Sequence, residues 1–185
     1  MVSFAEIQDW VFLLFEKLKI IMMNQLQKIV EECAQEQIIQ NKAIPDQLNN
    51  AAIREVCDQM FTCLKDQVTK GAMQEVVTLF QKTSMVKQNN PLVATMTSCV
   101  ASSLTSKFSI TPQVSQSVAN NLVPTVLNQV IARTNDPRNI DFDLQQMMRG
   151  MTGNSSLDIS QMLSKAPKTT VGSISGVFGK IFGKQ

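Results

Sequence analysis

Three groups of residues could do chemistry in this chain. The thiols Cys33, Cys57, Cys63 and Cys99 could ligate a metal or exchange disulfides. The close acids Glu31 and Glu32, and Asp141 with Asp143, could divide acid and base roles between them. A hydroxyl-rich run from Thr97 to Ser106, with Lys107 beside it, offers nucleophiles. Each chemistry lacks a component. The chain has no His, which removes the commonest general base, a principal zinc ligand and the usual pH sensor. No two thiols have the close C-x-x-C spacing of a zinc or thioredoxin-like site. Adjacent acids on a helix ordinarily form a solvated face, and the position of Lys107 in sequence does not make it an activating base. No Gly-rich phosphate loop is present either. The expectation is therefore no catalytic, metal-binding or cofactor-binding residue, and a protein that is not an enzyme.

The elements that position these groups read as helices throughout, because no stretch sustains a period-two alternation. Leu26, Ile29, Val30, Cys33 and Ile38 recur at helical intervals up to about Gln40, before Ala43-Ile44-Pro45 breaks the run. Ile53, Val56, Cys57, Met60, Phe61, Leu64 and Val68 form the clearest amphipathic stripe, predicting a helix over about 49–70 with Gly71 just past its end. A short helix over 72–82 follows, burying Met73, Val76, Val77 and Phe80. Asn90-Pro91 and Thr111-Pro112 each have a capping residue followed by Pro, a helix start. Pro124 either kinks the second of these helices or begins another. Asp141 or Asp143 can cap a short helix carrying Leu144, Met147, Met148 and Met151, whose methionines read as core filler more readily than as an adaptable surface. A last turn gathers Ile159, Met162 and Leu163. Cys33, Cys57 and Cys99 fall at apolar positions of these patterns, where free Cys behaves as a small hydrophobe. They read as buried or partly buried thiols of a reducing, cytoplasmic compartment.

The fold class is thus all-α and multihelical: two packed helical subdomains, 23–82 and 91–165, joined by a polar connector over 83–90. The 185 residues, 44% apolar and 17% charged, suffice for a real core. Residues 1–22 hold the only Trp and read either as an amphipathic helix or as a start-site extension ahead of Met22-Met23. No segment reaches the ~20 apolar residues that cross a bilayer.

Residues 166–185 form a linker and a compositionally separate tail. Val171, Ile174, Val177, Phe178, Ile181 and Phe182 fall on one helical face, with four glycines, Lys180 and Lys184 on the other. No acidic residue follows Asp158. A cationic amphipathic segment of this kind can lie on a membrane surface, dock in a partner's groove or pack on its own body.

Two stretches, NPLVATMTSCVASSLTSKF from Asn90 to Phe108 and NNLVPTVLNQVIARTNDPRNIDFDLQQMMRGMTG from Asn120 to Gly153, resemble the YidB-like family of bacterial proteins, which has no assigned activity. The marks are Leu122-Val123-Pro124, Thr134 to Pro137, Asp143-Leu144 and the terminal Gly179 to Lys184. The likeness runs from about residue 23 to the C-terminus and is strongest to versions from Bacteroidetes-type bacteria. It implies an all-helical bacterial protein and carries over no catalytic residue. Tails in that family are richer in Gly, so no role for the tail comes from the likeness.

The leading expectation is a non-enzymatic interaction or scaffold protein whose tail contacts a protein partner, a second copy or a membrane surface. The alternative is a DNA-associated, helix-turn-helix-like protein using residues 90–134. With a net charge of +2 and only Lys107 and Arg133 as cations in that region, phosphate contact is poorly provided for.

Overall fold

The computed structural model describes residues 23–81, 86–87, 89–136, 138, 143–154 and 156–165, together with Leu13 and Ile20. All regular structure among them is helical, and no strand occurs. The amphipathic segment read over 1–22 lies outside the described residues except for Leu13 and Ile20, which are helical and exposed.

Helix α1 occupies residues 23–33 and then gives way to a π-turn, Gln35–Ile39, where a continuous α-helix to about Gln40 is predicted. The Ala34 carbonyl accepts from both the Ile38 and the Ile39 N–H, at 2.9 and 3.1 Å. The widened turn delivers Ile38 to the core, fully buried beside Ile29 and Val30. Helix α2, Asn49–Thr69, and α3, Met73–Gln81, are separated by Gly71, whose φ of +97° is the left-handed backbone that its position after a helix requires.

Helix α4, Pro91–Phe108, starts on Asn90, whose side chain accepts from the Leu92 N–H at 2.9 Å. Helix α5, Pro112–Thr134, starts on Thr111, which accepts from the Val114 N–H at 3.5 Å. Pro124 lies inside α5, which runs on as one helix. Of the two candidate caps for α6, Leu144–Thr152, Asp143 is the one used, accepting from the Gln145 N–H at 2.8 Å. Helix α7, Ser160–Lys165, ends the described chain.

Helix α2 packs along α4, and α4 along α5. Contacts at Glu55 with Ser103 and Lys107, and at Cys63 with Cys99, run in opposite directions along the two chains, so α2 and α4 are antiparallel. The segments on either side of the 83–90 connector share one hydrophobic cluster. Ile29, Met60 and Phe80 from the first and Met96, Leu104, Leu122, Leu127, Ile131 and Met148 from the second are all fully buried. At ~25 cal/mol per Å² of apolar surface removed from water, this shared core is the main stabilising contribution. Met147, Met148 and Met151 belong to it, which is the core-filling role.

Candidate functional site

The tail residues expected to make contacts, Val171, Ile174, Val177, Phe178, Lys180, Ile181, Phe182 and Lys184, lie outside the described residues. What the structure describes is α7, which precedes them in sequence. Just ahead of α7, Asp158 accepts from the Ser160 N–H at 2.9 Å. Gln74 and Gln81 of α3 donate to the carbonyls of Met162 and Leu163 at 3.4 and 3.2 Å, holding α7 on the body. Ile159 is buried under this contact, while Leu163 is 41% exposed.

The hydroxyl run and Lys107 meet a partner that helical periodicity did not reveal. Glu55 projects from α2 into the α4 seam with its side chain only 8% exposed. It accepts hydrogen bonds from Ser103 Oγ, from Lys107 Nζ at 2.6 Å and from Gln59 Nε2 at 2.9 Å. Burial pushes the carboxyl up, but the donors Lys107, Ser103 and Gln59 together outweigh it and hold Glu55 below the usual glutamate range. Ser103 and Lys107 are one helical turn apart on α4, so a single carboxylate engages both. Ser103 directs its hydroxyl hydrogen at Glu55 and Lys107 is ion-paired to it, so the three side chains tie α2 to α4. The other cation of the 90–134 region, Arg133, pairs with Glu32 at 2.6 Å and ties the end of α1 to α5.

All four cysteines are free thiols. Cys57 is buried, and its burial, with Asp58 and Glu31 nearby, pushes the thiol up to about 12. Cys33 is half-buried at the end of α1; its thiol is raised by burial and by Glu32, with Arg133 acting in the opposite sense. Cys63 stands apart from the apolar stripe of α2, yet it is 4% exposed and faces Cys99 of α4 with the two Sγ atoms 2.9 Å apart.

The described residues also form two clefts. One is small and apolar, between Leu26, Phe61, Leu64, Met147 and Met151, with Phe80 in its wall. The other is a polar groove between the π-turn and α5, lined by Glu32, Cys33, Gln37, Asn121 and Gln129 among others. Asn121 donates to Gln37 Oε1 across it at 3.3 Å. Among the described residues no cluster of three or more Cys, Asp or Glu side chains is arranged to hold a metal ion. No described helix is long and apolar enough to cross a membrane.

These features define an all-α body whose buried ionisable groups join helix to helix. Comparison with known proteins finds no matching family model, no matching curated protein and no matching solved structure.

Proposed function

We propose that this chain is a non-enzymatic, cytoplasmic interaction protein of the YidB-like kind, in which a helical body carries a C-terminal amphipathic segment to a protein partner or a membrane surface. The observation that carries the reading is the tail's own pattern. Val171, Ile174, Val177, Phe178, Ile181 and Phe182 share one helical face, and Lys180 and Lys184 lie opposite it. In sequence the segment follows α7, which Gln74 and Gln81 anchor to α3. Each Gly within the segment costs about 1 kcal/mol relative to Ala in a helix, so contact with an apolar surface supplies what the segment lacks alone. The burial of both Glu55 and Ser103 in the α2–α4 seam supports a structural use of these groups over a catalytic one. The pairing of Lys107 and Arg133 with carboxylates weighs against a phosphate-binding face on α4 and α5.

Co-sedimentation with anionic and neutral vesicles, comparing the full chain with one ending at Pro167, tests the membrane form of this reading. Tail-dependent binding that weakens with salt supports it. Equal sedimentation of both chains rules it out and leaves the protein-partner form, which affinity capture with the same two chains then tests.

A further inference from the structure

The α2–α4 seam holds a pair of groups to which the interaction reading gives no role. Cys63 and Cys99 are brought face to face from the middles of two packed antiparallel helices, with their Sγ atoms 2.9 Å apart. A disulfide needs about 2.0 Å, so bond formation asks the two sulfurs to close by less than ~1 Å. The Glu55 clamp lies two helical turns along the same seam and keeps α2 and α4 in this register. We propose that Cys63 and Cys99 form an oxidisable pair, converted to an intramolecular disulfide between α2 and α4 by a peroxide or a small-molecule disulfide.

Their exposures assign the order of events. Cys99 is partly exposed and Cys63 is 4% exposed, so the oxidant meets Cys99 first. With hydrogen peroxide, the Cys99 sulfur attacks one peroxide oxygen, the O–O bond breaks, and the released hydroxide takes the Cys99 proton, so that a sulfenic acid and water result. The Cys63 sulfur then attacks the Cys99 sulfur, the S–O bond breaks, and the released hydroxide leaves as water with the Cys63 proton. Two thiols lose two electrons and two protons in all, and one peroxide becomes two waters. With a small disulfide the same two electrons reduce it to two thiols. Burial first, and then the neighbouring Cys99, push the Cys63 thiol up to about 12, which makes it the poorer of the two targets for the oxidant. Cys33 and Cys57 have no thiol in contact among the described residues and cannot complete the second step.

The bond closes a loop that contains α3 and the 83–90 connector, and it therefore restricts the unfolded chain. Oxidation would act as a reversible staple between α2 and α4.

The test uses the full chain, treated with a small excess of hydrogen peroxide or with glutathione disulfide, then denatured, alkylated and mapped by mass spectrometry without reduction. The expected result is a cross-linked peptide pair joining Cys63 to Cys99, two thiols fewer on alkylation, and a thermal midpoint raised by roughly 5–15 °C. Dithiothreitol reverses all three. In a Cys63→Ala variant, Cys99 should instead persist as a sulfenic acid or mixed disulfide and the midpoint should not rise. Full alkylation of both Cys63 and Cys99 in the treated wild-type chain overturns the proposal. So does wild-type Cys99 trapped as a mixed disulfide while Cys63 stays free.

Discussion

Replacing Lys107 with Met removes the ammonium from the Glu55 clamp while keeping most of the side chain's length. Breaking a buried ion pair from one side costs about 3–5 kcal/mol, because a charge is left uncompensated in a poorly solvated place. Here the two ends differ: Glu55 is 8% exposed, while Lys107 is 55% exposed and gave up less hydration to form the pair. Ser103 and Gln59 also still donate to the carboxylate after the change. The expected loss is therefore about 2 kcal/mol at neutral pH, below the range for a fully buried pair. About 0.3–1 kcal/mol of that belongs to losing a cation at the end of α4. For a chain of this size the change lowers the thermal midpoint by roughly 4–8 °C, read by circular dichroism.

The pH dependence gives the sharper reading. Glu55 is held below its unfolded value of ~4.3, so its stabilising contribution is complete above that value and fades as pH falls through the lower folded one. Wild type and variant should consequently converge in acid, once the carboxyl is protonated in both. A deficit under ~0.5 kcal/mol at neutral pH, or one that does not change between pH 7 and pH 3, would refute the assignment of Glu55 as a charged clamp.

The other local features give independent expectations. Gly71→Ala should cost about 1–2 kcal/mol by urea unfolding, because φ at that position is +97° while nothing lies within 4 Å of the added methyl, so the cost is backbone strain alone. Ser115→Ala should stabilise by about 1 kcal/mol, since its fully buried hydroxyl finds no hydrogen-bond partner among the described residues; a loss of stability would mean that the hydroxyl is bonded. Met148→Ala, at a fully buried core position, should lower stability by about 2–5 kcal/mol in the same assay.

Much of the fold could be read from residues with simple local consequences. Asn90-Pro91 and Thr111-Pro112 mark the starts of α4 and α5 because an accepting side chain and a preset φ act within one turn. Gly71 marks the end of α2 for a similarly local reason. The π-turn at Gln35–Ile39 was not legible, since its residues continue a helical pattern and only the packing of Ile38 shows why the turn widens. The two alternatives at Pro124 depended on whether neighbouring helices support α5 through the proline, which is again a tertiary matter. The α2–α4 seam was hidden for a different reason. Periodicity finds the large apolar residues of α2, whereas the face toward α4 carries Glu55 and Cys63, which do not read as core. A buried carboxylate becomes recognisable only when Ser103 and Lys107 arrive from a helix far away in sequence.

The central claim is that the apolar face of the C-terminal segment makes the contact, and paired aspartates at Phe178 and Phe182 test it most directly. Binding of the full chain and of the Phe178→Asp/Phe182→Asp variant should be measured side by side on anionic vesicles and by cross-linking capture of protein partners. Burying a Phe side chain is worth about 1.5–3 kcal/mol, so removing two should weaken the contact by roughly a hundredfold or more and bring it to the level of the chain ending at Pro167. A variant that binds as the wild type does in both assays would contradict the account and move the interaction surface to the helical body.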